Sequence, residues 1–442
     1  MKTSSKILND PIYGFIRIPH GIIFELIEHT YFQRLRRITQ LGLSYLVYPG
    51  AYHTRFQHAI GATHLMSKAV HQLRSKGHEI TEEENVAVSI AILLHDIGHG
   101  SFSHALEHSI AHEIAHEDLS LLFMEKLNKE FNGQLTTAIQ IFKNEYHKRF
   151  LHQLVSSQLD MDRMDYLIRD SFYSGVQEGV IGSDRIINML NVVEDKLVIE
   201  SKGVYSIEKF LIARRLMYWQ VYLHKTVISA ENMLIKVLKR AKKIKQSGKE
   251  LFGSSALKLF LENNFTLVDF RENEEVFKAF TRLDDTDVLG AIKEWQFCGD
   301  KILAILSNKI IQRNLLKIEV TDEAVSEARL LEMKNRVASY YDIDITQTEY
   351  LAFHDSISNN AYTAHKSNIN ILYKDGSLKD IADAKGEIFQ FQAQEARTNA
   401  DINMYTSMYL GLSEVENKLR AEKANQWGNV FGGISDTLFG GD

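Results

Sequence analysis

Residues 88–100 read Val88-Ser-Ile-Ala-Ile-Leu-Leu-His95-Asp96-Ile-Gly98-His99-Gly100, an apolar run that ends on an imidazole and a carboxylate. The run predicts a core helix over residues 84–95, ended by Gly98. A buried His-Asp pair at the end of such a helix costs several kcal/mol unless compensated, and a cation is the usual remedy. Two further residues of metal-ligand type flank it: His58 in Arg55-Phe-Gln-His58, and Asp162 in Asp160-Met-Asp162-Arg-Met-Asp165-Tyr166. Leu65, Met66, Ala69, Val70 and Leu73 recur at helical spacing over residues 58–76, which puts His58 at the start of a helix. Asp162, Tyr166, Arg169 and Asp170 share a face of another helix, capped by Ser156 or Ser157. Three helices thereby gather His58, His95, Asp96 and Asp162 inside a bundle. Two imidazole nitrogens and two carboxylates suit one divalent Mn, Fe, Ni, Zn or Mg ion, with positions left for water and a phosphate oxygen.

The rest of the chain fits that frame. All three prolines (Pro11, Pro19, Pro49) fall within the first fifty residues, so nothing breaks long helices beyond them. Met189–Val193 and Leu197–Glu200 flank Glu194-Asp195 as a hairpin, and Ile369–Tyr373 before Asp375-Gly376 opens a second. The expected fold is mainly α: a helical bundle with a few short β-hairpins and a mixed α/β C-terminal region. A chain of 442 residues permits two or three domains. We divide it into 1–247 with a core over 50–180, a mixed region 248–427, and a glycine-rich tail 428–442.

The formal net charge of −6 gives the whole molecule no attraction to nucleic acid. The basic helix Lys236–Lys245 lacks interleaved aromatics and reads as a solvated face. A single cysteine, Cys298, excludes an intrachain disulfide and fits a reducing compartment. No signal core and no bilayer-length apolar run are found, so a soluble, cytoplasmic protein without membrane contact is expected.

The order His…His-Asp…Asp recurs with six more collinear blocks. They are Asn9-Asp-Pro-Ile-Tyr-Gly14, Phe32-Gln-Arg-Leu-Arg-Arg37, Gln40-Leu-Gly42, Tyr48-Pro-Gly50, Leu94-His-Asp-Ile-Gly-His-Gly-Ser-Phe-Ser-His104 and Met161-Asp-Arg-Met-Asp-Tyr166. Together with Arg55-Phe-Gln-His58 they resemble the HD superfamily of metal-dependent phosphohydrolases, in particular its deoxynucleoside triphosphate triphosphohydrolase branch. The resemblance implies an HD-domain bundle holding one divalent metal on His58, His95, Asp96 and Asp162. It implies hydrolysis of dNTPs to deoxynucleoside and tripolyphosphate by a homo-oligomer.

It also implies roles around the metal. His104 and His116 approach the substrate phosphates, one as general acid, a role that a pKa near 6.5 suits. Arg55, His99 and Arg163 belong to the phosphate side, Arg163 standing where mammalian members have lysine. Gln40 and Leu41 line the deoxyribose, and Tyr166 and Asp170 receive the sugar. Arg214, Tyr222, His224 and Lys225 correspond to the remaining wall, in which Tyr218 replaces a family histidine. Lys6, Glu28, Gln33 and Arg36 fall near a guanine-nucleotide activator site between subunits.

The residues alone leave alternatives open. His104, His108, His112 and His116 are spaced by four, as in a solvated helix stripe or a zinc pair. Arg55 suits a phosphate clamp or an ion pair. Tyr166 suits a sugar or a packed core. Arg34, Arg36 and Arg37 read equally as exposed charges, and Asp165 as a residue that orients Arg169 or caps backbone. Two other functions share the metal chemistry or the cavity: a phosphomonoesterase or phosphodiesterase acting on other nucleotides, and a non-catalytic nucleotide sensor.

Overall fold

The computed structural model describes residues 5–102, 114–321, 325–358, 368–381 and the strand 403–409. The architecture is mainly helical, with small sheets at the periphery. The chain opens with an antiparallel hairpin of β1 (Ser5–Asp10) and β2 (Gly14–Pro19). Asp10 builds its turn, its Oδ1 accepting the backbone N–H groups of Ile12 and Tyr13.

Three helices form the centre of the bundle. α1 (Arg55–Ser75) starts after Thr54, whose N–H donates to the Gln57 side chain in a capping box. α2 (Glu82–Leu94) starts the same way, with Thr81 and Glu84 bonding each other reciprocally and three glutamates in its first turn. From Ala87 to Leu94 every side chain of α2 is buried, each large aliphatic one contributing roughly 1.5–3 kcal/mol. Next along the chain, α3 (His116–Glu130) covers the turn that follows α2. α4 (Met161–Ser174) packs on α1 and ends at Gly175, which takes the left-handed conformation.

Two local expectations are corrected. Gly98 does not end α2 by a positive φ; α2 ends at Leu94, and Gly98 is needed because a Cβ there would collide with the His116 carbonyl and the Ser120 N–H of α3. The cap of α4 is Asp160, which accepts from Arg163 N at 2.7 Å, while the Ser157 N–H donates to Asp160. A carboxylate adjacent to the first helical residue takes the capping position from the earlier serines.

The first expected hairpin is β3 (Leu190–Val193) and β4 (Lys196–Glu200), turning through Glu194 and Asp195 at φ 50° and 59°. α5 (Lys225–Gln246) follows, and α6 (Asp285–Trp295) lies among the helices after it. Beyond these, β5 (Lys317–Thr321) and β6 (Ala352–Ser358) flank a distant strand, and β7 (Asn370–Leu372) with β8 (Leu378–Asp380) form the second expected hairpin. β7 pairs in parallel with β4, giving a four-stranded sheet β3-β4-β7-β8. β9 (Asn403–Tyr409) is the strand between β5 and β6.

The basic helix, part of α5, is a solvated face only at Lys239 and Lys243. Arg240 forks onto Asp300 at 3.0 and 2.6 Å, Lys236 lies 4.2 Å over the Phe353 ring, and Lys242 and Lys245 are buried. Its cations tie the C-terminal region down. No helix among the described residues is long and apolar enough to cross a membrane. The tail 428–442 lies outside the described residues.

Candidate functional site

α1, α2 and α4 converge on one point. His58 sits in the first turn of α1, His95 caps α2 with Asp96 next to it, and Asp162 lies in the first turn of α4. Asp162 Oδ1 is 3.1 Å from His58 Nε2 and 3.4 Å from His95 Nε2. Asp96 Oδ1 is 3.3 Å from His95 Nε2, and Asp96 Oδ2 is 3.9 Å from His58 Nε2.

This donor set passes a direct test for a cation. Both Nε2 atoms are buried and make no hydrogen bond, a costly arrangement for two imidazoles unless something else receives their lone pairs. Their outer nitrogens are engaged, His58 Nδ1 with Asp165 Oδ2 at 2.8 Å and His95 Nδ1 with the Ile92 carbonyl at 2.7 Å. Each ring thus donates outward through Nδ1 and keeps Nε2 facing inward, where a cation would take its lone pair in place of a proton, as in metal-ligating histidines.

The electrostatics agree. Burial pushes His58 down, but Asp162 and Asp165 outweigh it and hold the ring at about 10. Burial likewise lowers His95, and Asp96 and Asp162 bring it to about 9. Asp162 is pushed up by burial and pulled well below the usual carboxylate range by the two imidazoles. A positive charge is wanted between the two imidazoles and Asp162, where the raised histidines show protons standing in for it.

Asp96 and Asp162 of this centre line a cavity of about 570 Å³, with His58 and His95 buried beside them. Arg55, Asp96, His99, His116, Asp162 and Arg163 line its polar side. Arg55 Nη1 donates to Asp96 Oδ2 at 2.7 Å, so both readings of Arg55 meet: it is an ion pair, and it faces the cavity. His99 Nε2 lies 3.3 Å from Asp96, and its ring stacks on His116 with centroids 3.9 Å apart. Burial first, then Arg55, depress His99 to about 3, so it is neutral. Gln40, Leu41, Tyr166, Asp170, Tyr218 and Tyr222 also line it.

Asp170 is more occupied than the sequence suggests. His53 Nε2 approaches its Oδ1 at 2.7 Å, and the Tyr222 hydroxyl donates to its Oδ2 at 2.7 Å. Arg169 does not share the cavity face of Asp162, Tyr166 and Asp170; it turns to Asp165. Arg214 donates to Gln158, His224 caps α5, and neither they nor Lys225 line the cavity. His104, His108 and His112 lie outside the described residues.

Lys6, Glu28, Gln33 and Arg36 lie outside the cavity as well. Lys6 is over the Phe24 ring, Arg36 Nε donates to Gln33, and Glu28 is exposed. Arg34 is no exposed charge. It is fully buried between the Phe123 and Phe280 rings and donates to the His99 and Ile97 carbonyls at 2.9 and 2.8 Å. It thereby fixes the turn that carries His95 and Asp96.

Sequence reasoning missed several supporting residues. Asp285 of α6 accepts from Ser101 Oγ, Thr39 N and Thr39 Oγ1 at 2.7–2.9 Å, pinning two cavity segments from the C-terminal region. Glu231 of α5 lines the cavity, and burial pushes it up to about 7. Asp284 caps α6, and nothing in the local sequence links Asp285 to Thr39, 246 residues earlier.

The family model for the HD associated region matches residues 181–253. The Bacillus subtilis protein YwfO is 30% identical over 394 residues, which are 86% of this chain and 88% of that protein. A Dictyostelium discoideum deoxynucleoside triphosphate triphosphohydrolase, the SAMHD1 homolog, is 32% identical over 252 residues; the match covers 53% of this chain and 49% of the relative. The crystal structure of a phosphohydrolase from Bacteroides thetaiotaomicron aligns with a TM-score of 0.88 at 50% identity, over 92% of this chain and 100% of that one. With its mainly α fold and its converging histidines and aspartates, the chain belongs to the HD-domain phosphohydrolase family.

Proposed function

We propose that the protein hydrolyses dNTPs to deoxynucleoside and tripolyphosphate at this cavity. The observation that carries the reading is the pair of buried, unbonded Nε2 atoms of His58 and His95 meeting Asp162 and Asp96, which line an open cavity. His58, His95, Asp96 and Asp162 are the residues that would hold a divalent cation, which would supply Lewis-acid chemistry there. A dNTP is favoured by the two cationic residues, Arg55 and Arg163, and by Tyr166, Tyr218 and Tyr222, all of which line the same cavity. The cavity is within the size range of small-ligand sites. The Dictyostelium relative named as a dNTP triphosphohydrolase supports the same substrate class.

The chain's own groups divide the remaining work. Arg55 and Arg163 bind and orient the triphosphate and balance its charge. Water attacks the α-phosphorus, the bond from phosphorus to the 5′-oxygen breaks, and a proton goes to that oxygen. Neutral His99 cannot serve as the acid at ordinary pH; it orients by hydrogen bonding. We assign proton delivery to His116, a reading supported by its stacking on His99 at the cavity wall, or to His104, which lies outside the described residues. Tyr222 and Asp170 hold the sugar, and Gln40 and Leu41 close on its 2′ side. The assembly is a homo-oligomer, and Lys6, Glu28, Gln33 and Arg36 lie on the surface that takes a regulatory nucleotide.

The test is product analysis. Protein loaded with Mn is incubated with the four dNTPs plus GTP and followed by phosphorus NMR, beside His95→Ala and Asp96→Ala. Tripolyphosphate from the wild type alone is the expected result. Orthophosphate or pyrophosphate moves the substrate to another nucleotide class, and nucleotide binding without turnover makes the protein a sensor.

A further inference from the structure

The sequence reads Asp165 as a partner for Arg169 or for backbone. In the structure it does more. Its side chain is fully buried, and its two oxygens receive three groups: Arg169 Nε on Oδ2 at 2.9 Å, Arg169 Nη2 on Oδ1 at 3.0 Å, and His58 Nδ1 on Oδ2 at 2.8 Å. The forked guanidinium already satisfies the carboxylate and keeps it charged. The imidazole contact is therefore additional, and it is directed at one nitrogen of one candidate metal ligand.

The network continues outward. Arg169 is itself fully buried, and its Nη1 donates to Asp10 Oδ2 at 2.9 Å. Asp10 Oδ1 holds the turn of the N-terminal hairpin through Ile12 N and Tyr13 N. An unbroken set of bonds thus runs from the hairpin turn through Asp10, Arg169 and Asp165 to His58. Helix α1 makes room for it with a glycine: a Cβ on Gly61 would overlap both Asp165 and Arg169. With two carboxylates and one guanidinium, this buried relay carries one net negative charge behind the imidazole.

A neutral imidazole has one N–H and one lone pair, so an anionic acceptor at Nδ1 directs the lone pair to Nε2. Nε2 is the buried atom that lacks a hydrogen bond and faces Asp162. We propose that Asp165 is the positioning residue of His58, fixing its Nδ1–H form and ring orientation, and that Arg169 and Asp10 hold that carboxylate in place from the N-terminal hairpin. The proposal rests on the reading of His58 as a metal ligand. It makes the hairpin, whose Asp10 lies 48 residues before His58, part of the metal centre's support.

The test measures divalent-cation affinity by chelator competition, with Mn or Zn alone and no nucleotide. Wild type, Asp165→Asn and Asp10→Asn are compared, with circular dichroism and thermal unfolding on each. Loss of an outer-shell partner lowers metal affinity roughly 10–100-fold. That loss is expected for folded Asp165→Asn, with a smaller loss in the same direction for Asp10→Asn, which keeps its turn-forming oxygen. A purely structural role would lower the unfolding temperature and leave the affinity of folded molecules unchanged, which refutes the proposal. If Asp165→Asn does not fold, unchanged affinity in Asp10→Asn refutes it. A wild type that binds no divalent cation overturns the metal reading itself, and the proposal with it.

Discussion

Replacing Gly61 by alanine sets two effects of known size against each other. Gly61 lies inside α1 with helical backbone, so an added methyl group on its own favours the helix by about 1 kcal/mol. The same methyl group would penetrate Asp165 Oδ1 and Arg169 Nη2, both fully buried and without space to retreat. Displacing one partner of a buried ion pair costs about 3–5 kcal/mol. The net expectation is a destabilisation of about 2–4 kcal/mol. Denaturant unfolding of metal-free protein, read by circular dichroism with unchanged m-value, measures it. Metal-loaded samples should show a second effect, a smaller stabilisation by added cation than in wild type, because His58 loses its support. A Gly61→Ala protein as stable as wild type, or more so, would show that the ion pair does not lie against α1.

Three further outcomes follow from the same residues. Without a cation, His58 and His95 hold protons up to about 10 and 9, above their ordinary 6.5. Their stabilisation of the apo protein is complete below about pH 6.5 and lost as pH rises through 9–10, whereas cation affinity should climb with pH as those protons leave. Calorimetric titration between pH 6.5 and 9 checks this, and pH-independent affinity contradicts it. Glu231, raised by burial from 4.5 to about 7, favours folding below pH 4.5 and progressively less as pH rises through 7. Glu231→Gln should match wild type at pH 5 and exceed it at pH 8 by about 1–2 kcal/mol, a ceiling of about 3 being discounted for partial exposure; equal stability at both pH values refutes the burial. Arg34→Met leaves the His99 and Ile97 carbonyls without their donor, at about 1–3 kcal/mol each, and thermal melts that match wild type would rule out that bonding.

What was legible in the sequence followed from local pattern. The apolar run into His95-Asp96 announced a buried helix with a polar end, and the 3.6-residue spacing announced α1 and α4, so the four ligand candidates were found before the fold. The hairpin β3–β4 was legible because Glu194-Asp195 interrupts two apolar strands. The N-terminal hairpin was not expected, although Asn9-Asp-Pro-Ile-Tyr-Gly14 has turn chemistry. Its alternation is blurred by apolar residues on the solvent side, such as Phe15 at 73% exposure. Long-range pairings were out of reach for a different reason. Arg169 with Asp10, Thr39 with Asp285 and β4 with β7 each join segments more than 150 residues apart, and nothing in either segment names the other. The run of three arginines at 34–37 shows the same limit, since only the enclosing Phe123 and Phe280 rings reveal which one is buried.

In the proposed reaction this centre directs water to the α-phosphorus of a dNTP. Turnover in water enriched in oxygen-18, with the products resolved by mass spectrometry, tests it most directly. One labelled oxygen in the tripolyphosphate and none in the deoxynucleoside, both products absent with Asp96→Ala, is the expected result. Label in the deoxynucleoside, or in released orthophosphate, would contradict the account.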